Sequence, residues 1–298
     1  MKGSSIAAGR RKNRLSKRVE PYLYLLPAAL FFAVFTFYPF AKTIYSSFFL
    51  VNAKGELRSF VGFENYLHVL SDPKFIQSIG NTLLYVALSS PVAILVALVL
   101  AMLCSKKTKT SSFYETMFAI TMAMSLSVTA MIFNLLYNPT IGALNHIIGQ
   151  KVRWLGDPAI AMVSLSIIAV WMNIGYNFLF LLAAVRGVPT ELLESAEVDG
   201  AGTVKKAIKI VVPLISPTVF FLICNSLAKN MMMSGLVLIL TQGGPQGSTQ
   251  TMISYMFQQS INNQNYNDGF AAAIIAFILT FAAMCLSFVF EKRGVHYQ

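Results

Sequence analysis

Charge is scarce in this sequence. Asp, Glu, Lys and Arg together make up 12% of its 298 residues, about half the roughly 25% of an average soluble domain. Acidic side chains are the scarcer sign, 12 against 23 basic ones. Cysteine and histidine number three each. Cys104, Cys224 and Cys285 are far apart and odd in number, which excludes a disulfide framework and a CxxC metal site. His68, His146 and His296 are scattered with no HExxH spacing, so neither a metal centre nor a catalytic acid–base pair is expected. No GxxxxGK[ST] loop occurs, so the chain does no phosphoryl chemistry of its own.

Apolar side chains fill the space that charge leaves. They account for 56% of the chain, including 23 Phe and 14 Met, with a mean hydropathy of +0.63. One soluble core could not bury that much, so a disordered chain and an ordinary soluble enzyme are both excluded. The bilayer is the expected solvent.

A spanning helix needs about 20 apolar residues, because roughly 30 Å of hydrocarbon is crossed at 1.5 Å per residue. Six stretches qualify: Tyr22 to Phe40, Phe75 to Ser105, Thr116 to Asn145, Pro158 to Val185, Ile210 to Leu240 and Gly269 to Phe290. Lys229 alone interrupts the fifth. Lipid admits only helices or closed barrels, and long unalternated runs select helices. The expected fold class is all-α and polytopic, with six transmembrane helices. The first run has a basic leader but no small-residue cleavage site after it, so it reads as a retained span and not as a signal peptide.

Lys and Arg crowd into the first 20 residues, the 105–112 loop, the 186–209 loop and the tail. The intervening loops hold five, Lys54, Arg58, Lys74, Lys151 and Arg153. This asymmetry predicts a plasma (inner) membrane protein with both termini cytoplasmic. It also accounts for the net charge of +11 through the anionic inner leaflet, without nucleic acid. The organisation expected is a basic cytoplasmic segment over 1–20 and a transmembrane domain over 21–298. Lys42, near the outer end of the first span, is expected to snorkel.

The loop between spans four and five, residues 186–213, has a character of its own. Pro189 ends the fourth helix, Thr190 is a candidate cap for a short new one, and Glu191 and Glu194 suit its first turns. Asp199, Gly200 and Gly202 supply a turn, after which Thr203 can cap a second helix running up to Pro213. The first arm is acidic and the second basic, through Lys205, Lys206 and Lys209. Such an elbow could slot its apolar Leu192, Leu193, Ala196 and Val198 into a partner's groove; the alternative is a solvated helical loop.

This segment resembles the EAA loop of binding-protein-dependent ABC importer permeases. Glu194, Ser195, Ala196, Gly200, Ile210 and Pro213 stand at that pattern's offsets, with Ser195 in place of Ala and Val212 in place of Leu. Phe60-Val-Gly-Phe-Glu-Asn-Tyr66, Leu240-Thr-Gln-Gly-Gly-Pro245 and Tyr176-Asn-Phe-Leu-Phe180 are similar to the carbohydrate-uptake branch, of maltose and glycerol-3-phosphate type. The resemblance runs from about Pro21 to the C-terminus. It implies a type I permease fold and coupling to an ATPase through Glu194, Ser195, Ala196, Asp199, Gly200, Ile210 and Pro213. It further implies a second homologous permease, two cytoplasmic ATPase subunits that hold the ATP and Mg, and an extracytoplasmic solute-binding protein. The chain itself is expected to bind no cofactor.

Polar groups inside spans are expensive and invite a functional reading. Ser226, Asn230 and Met233 recur at helical spacing in span five, with Lys229 beside them. Span four carries Trp171, Asn173, Tyr176 and Asn177. The substrate pathway is therefore expected at Trp171, Asn173, Asn177, Ser226, Lys229, Asn230 and Met233, where amides, hydroxyls and aromatic faces suit a sugar. Bonding between subunits would use the same Ser and Asn side chains. Lys229 would attract an anion, bond a sugar, or pair with a carboxylate of the second permease. The Met231-Met232-Met233 triplet suits a gate or flexible core filling. The expected solute is a sugar or oligosaccharide, with glycerol 3-phosphate or a glycerophosphodiester as the alternative. An ion-coupled secondary transporter would call for internal repeats and mid-span carboxylates, which the sequence lacks.

Overall fold

The computed structural model describes residues 20–106 and 108–294. The basic segment expected over 1–20 lies outside the described residues except for Glu20, as does Lys107. Five helices are long and apolar enough to cross a membrane, and one bent pair makes a sixth span.

The first span is α1 (Glu20–Ser47). A wide π turn occupies Ala33–Phe37, just before Pro39, whose ring and missing N–H disrupt the regular ladder one turn back. The apolar window of α1 is not buried at all within the chain. Its Tyr and Phe side chains face outward, Tyr24 at 77% exposure. A hairpin follows, β1 (Phe49–Val51) antiparallel to β2 (Leu57–Phe60), with Phe49 opposite Phe60. Asn52 closes its turn by accepting from the backbone N–H groups of Lys54 and Glu56. This hairpin departs from an entirely helical expectation. It folds because a polar Asn-Ala-Lys-Gly55 turn outside the spans separates two short strands whose Phe49 and Phe60 rings pack edge to face.

Then come α2 (Glu64–Ser71) and the second span, α3 (Pro73–Leu103). The third span, expected as one run over Thr116 to Asn145, is a correction. It comprises α4 (Ser111–Ala123) and α5 (Leu126–Leu136), bent by 101° at a break. Ser125 is the physical cause: its hydroxyl accepts from Val128 N–H and caps a new helix in mid-run. The short α6 (Ala143–Ile148) leads to span four, α7 (Ala161–Arg186).

The elbow consists of α8 (Thr190–Val198) and α9 (Thr203–Lys206). A π turn over Ala207–Val211 and a turn over Val212–Leu214 carry the chain into α10 (Ser216–Met231). Neither expected threonine cap forms. Pro189 and Gly202 hold the cap positions without side-chain bonds, which puts Thr190 and Thr203 at the first helical residue of each arm. The second arm is not one regular helix up to Pro213 either. The wide turn stands just before that proline, as it does in α1. Span five therefore starts at Ser216, not Ile210, and is itself interrupted at 232–234 before α11 (Gly235–Leu240). Two further helices, α12 (Met252–Phe257) and α13 (Tyr266–Gly294), complete the chain, and α13 holds span six.

Helices α3 and α7 form the axis of the bundle. Ile94, Ala97 and Ala101 of α3 bury against Phe178, Leu181 and Val185 of α7 in one core. Small residues let the backbones approach where hydrocarbon offers no hydrophobic drive between helices. At Gly175 a Cβ would collide with the Phe118 carbonyl and the Thr121 hydroxyl of α4. Arg186 ties the elbow end together: its guanidinium donates to the Ser105 and Cys104 carbonyls and pairs with Glu115 at 2.7 Å.

Candidate functional site: a cavity between two broken spans

The breaks in spans three and five face each other across the bundle. Between them lies an open cavity of about 460 Å³, lined by Met122, Met124 and Leu126 of the first break and by Met232, Met233, Ser234 and Gly235 of the second. Gly235 sits against Leu126 so closely that a Cβ there would strike its Cδ2. Non-helical backbone at membrane depth is tolerated only where protein buries it or a wet cavity lies beside it. Two such interruptions converge on this one space.

The expected pathway residues divide here. Asn173, Lys229, Asn230 and Met233 line the cavity, joined by Tyr85, Thr121 and Tyr176. Lys229 is exposed to it, and its ammonium rests 4.6 Å from the centre of the Tyr176 ring. That cation–π contact supplies a partner within the chain. Asn173 donates back to the Ala169 carbonyl at 2.7 Å, which leaves its own carbonyl oxygen to offer a solute.

Asn230 lines the cavity yet is only 6% exposed. Its amide nitrogen donates to Ser90 at 2.7 Å, to Ser89 at 3.0 Å and to Ser226 at 3.3 Å. Ser226 is buried in that network, which joins α10 to α3 within the same chain. The helical spacing that put Ser226, Asn230 and Met233 on one face fails after Met231, where α10 ends. Trp171 packs edge-on against Phe133, with centroids 5.5 Å apart, in the adjoining core. Asn177 is buried with its amide nitrogen unpaired among the described residues. Of the methionine triplet, Met231 is core, Met232 is exposed to the cavity, and Met233 lines it while buried in the adjoining core. Sequence reading placed no break at Met124 or Met232. The Ser234-Gly235 pair was its clearest available signal, since such pairs commonly interrupt helices.

The elbow is well defined. Gly200 has φ +75°. Its N–H donates to the Glu197 carbonyl at 3.0 Å, and Ala201 N–H to the Ala196 carbonyl at 2.9 Å. These two bonds close α8 in a Schellman motif, for which glycine is the natural residue. Lys206 crosses from α9 to bond Glu197 at 2.9 Å. The hydrogen bond and charge of Lys206 hold the Glu197 carboxyl below its ordinary value. Glu194, Ser195 and Asp199 are exposed, Ala196, Ile210 and Pro213 half-buried. Val198 stands 89% exposed at the tip.

Residues 73–293 match the family described as the binding-protein-dependent transport system inner membrane component. The chain belongs to that family. The permease is 31% identical over 286 residues to the sn-glycerol-3-phosphate transport system permease protein UgpA of Agrobacterium fabrum, covering 94% of this chain and 97% of that one. It is 29% identical to the probable ABC transporter permease protein YurN of Bacillus subtilis, over 93% and 97% of the two chains. Its fold superimposes with a TM-score of 0.81 on a chain of the bacterial alginate ABC transporter, solved in complex with an alginate pentasaccharide-bound periplasmic protein. That match has 21% identity and covers 94% of this chain and 98% of the other. The chain is an ABC transporter permease subunit with the type I importer fold, located in the inner membrane, and not an enzyme.

Proposed function

We propose that this permease forms one half of the membrane pathway of an ATP-driven importer of a sugar or oligosaccharide delivered by an extracytoplasmic solute-binding protein. A second permease completes the pathway, and two cytoplasmic ATPase subunits bind ATP and Mg. The observation that carries this reading is the cavity between the two broken spans. Its side chains offer what a hydroxylated solute needs as it sheds water: an amide at Asn173, a hydroxyl at Thr121 and an aromatic face at Tyr176.

The elbow around Glu194 and Gly200 is the coupling device, inserted into an ATPase cleft with Val198 at its apolar tip. On this reading both termini and residues 186–213 are cytoplasmic, as the distribution of Lys and Arg requires. ATP binding draws the ATPases together, the elbows follow, and the cavity turns outward to take solute. Hydrolysis resets it.

One observation favours a second substrate class, glycerol 3-phosphate or a glycerophosphodiester: Lys229 puts a cation in the cavity. Curated relatives carry glycerol 3-phosphate in their names. Co-expression with the neighbouring subunits, reconstitution in liposomes and assay of labelled solutes decides the matter. ATP-dependent accumulation of one class supports the importer. Uptake that an uncoupler abolishes while ATP is held constant overturns it in favour of a secondary carrier.

A further inference from the structure

At the end of the bundle opposite the elbow, the loop after α11 folds against α3 and α12. A crevice of about 350 Å³ opens there, lined by Lys74, Gln77, Gln242, Gln246, Gln250 and Gln258, with three glycines between them. A second space of about 250 Å³ shares Gln242, Gln250 and Gln258 and extends to Leu238. Leu238 and the central cavity's Gly235 belong to the same six-residue helix, a length of about 9 Å. From this geometry we infer that the glutamine-lined crevice is an outer station for the solute, a second binding site for hydroxyl-rich molecules before they reach the membrane cavity. The inference deepens the importer reading and rests on it.

The chemistry of the lining carries the argument. A glutamine amide offers two N–H donors and a carbonyl acceptor, the complement of a hydroxyl that both donates and accepts. Five such amides converge with one charged group, Lys74. Neutral polyols and their phosphate esters fit; cations do not. The loop is also prepared in advance. Asn81 donates to the carbonyls of Gly247 and Gln250 at 2.8 and 2.9 Å. The Thr249 hydroxyl donates to the Gly244 carbonyl at 2.6 Å, and that of Thr251 to the Met233 carbonyl at 2.7 Å. Gln250 is buried and donates to Gln258 at 2.5 Å.

Backbone conformation adds a second line. Gln242 and Gln246 stand at φ +51° and +52°, a region that non-glycine residues avoid. Glycine occupies the neighbouring left-handed positions, Gly243 at +88° and Gly247 at +75°. Where backbone alone was needed, the loop has glycine. At 242 and 246 it keeps an amide side chain despite the strain, and strain of this kind collects at functional sites.

The test uses the whole transporter in lipid nanodiscs without its binding protein. Saturation-transfer NMR follows two probes at millimolar concentration, a neutral pentasaccharide and glycerol 3-phosphate. The expected result is direct binding of at least one probe, weakened about tenfold in Gln242→Leu/Gln246→Leu, since each lost hydrogen bond is a few-fold effect. Gln242→Gly/Gln246→Gly removes the amides and the strain together. It should lose binding while keeping or gaining thermal stability, which separates the site from misfolding.

Unaltered binding in both variants overturns the outer station. So does an unaltered complex that binds neither probe yet still imports one, and that result leaves the importer reading standing. Normal probe binding with weakened capture of the binding protein also overturns it, and makes the crevice a docking face. If the complex imports no solute from a loaded binding protein, the importer reading fails and the station with it.

Discussion

The ammonium of Lys229 sits over the ring of Tyr176, joining spans five and four in the lining of the central cavity. An unpaired lysine at membrane depth costs at least about 2.5–3.5 kcal/mol, and a cation–π contact at an exposed site returns about 0.5–1 kcal/mol of that. The pair is thus held loosely enough for a solute to compete for it. Lys229→Ala should lower ATP-driven uptake about tenfold and leave co-purification with the ATPase unchanged. Uptake equal to the unaltered transporter would remove Lys229 from the pathway.

The Asn230 network is structural as much as it is polar. Asn230→Leu breaks the bonds to Ser89 and Ser90, although Ser89 can still donate to the Tyr85 carbonyl at 2.6 Å. Hydrogen bonds between membrane helices are worth about 0.6 kcal/mol on average. The variant should therefore melt only slightly lower in a detergent thermal-shift assay. A large drop would mean that Asn230 anchors more than α3.

Gly175 is a sterner case. Any Cβ there meets the Phe118 carbonyl and Thr121 of α4, and overpacking of this kind costs about 1–3 kcal/mol. Gly175→Ala should reduce thermal stability and displace α4 next to the break at Met124. Full stability with full uptake would show that the two helices separate freely.

Most of the bundle was legible in the sequence because apolar runs set by bilayer thickness leave few alternatives. The runs at 75–105 and 158–185 differ only at their ends from Pro73–Leu103 and Ala161–Arg186. The breaks were harder to read, because Met124 and Met232 themselves suit a helix and the signals lie in the residues after them, the Ser125 cap and the Ser234-Gly235 pair. Of the cavity, Lys229 and Asn173 could be found by their polarity. Tyr85 looked like any aromatic, and Ser226 and Trp171 proved to be turned toward neighbouring helices, which polarity alone cannot reveal. At the elbow, Gly200 was readable because a left-handed turn demands it. The capping threonines were misread by one residue because Pro189 and Gly202 take the extended position just before each helix.

The Glu197–Lys206 pair should make the elbow sensitive to acid. A carboxyl held below its ordinary value contributes above that value, and the contribution is lost as pH falls through the lowered one. Amide hydrogen exchange over 190–206, corrected for intrinsic rates, should show protection decreasing below the ordinary carboxylate range. Lys206→Ala should abolish the dependence. Because Glu197 is solvent-exposed, the effect should be small and should fade at high salt.

The Schellman closure at Gly200 also bears on how force crosses the membrane surface. A hinge of loose chain would swallow an ångström-scale push from a nucleotide-driven subunit. On the importer reading proposed above, a bend closed by two backbone bonds would pass that push along the second arm toward the helix that carries Lys229. The stiffness of a single corner would then set how many solute molecules cross for each ATP consumed.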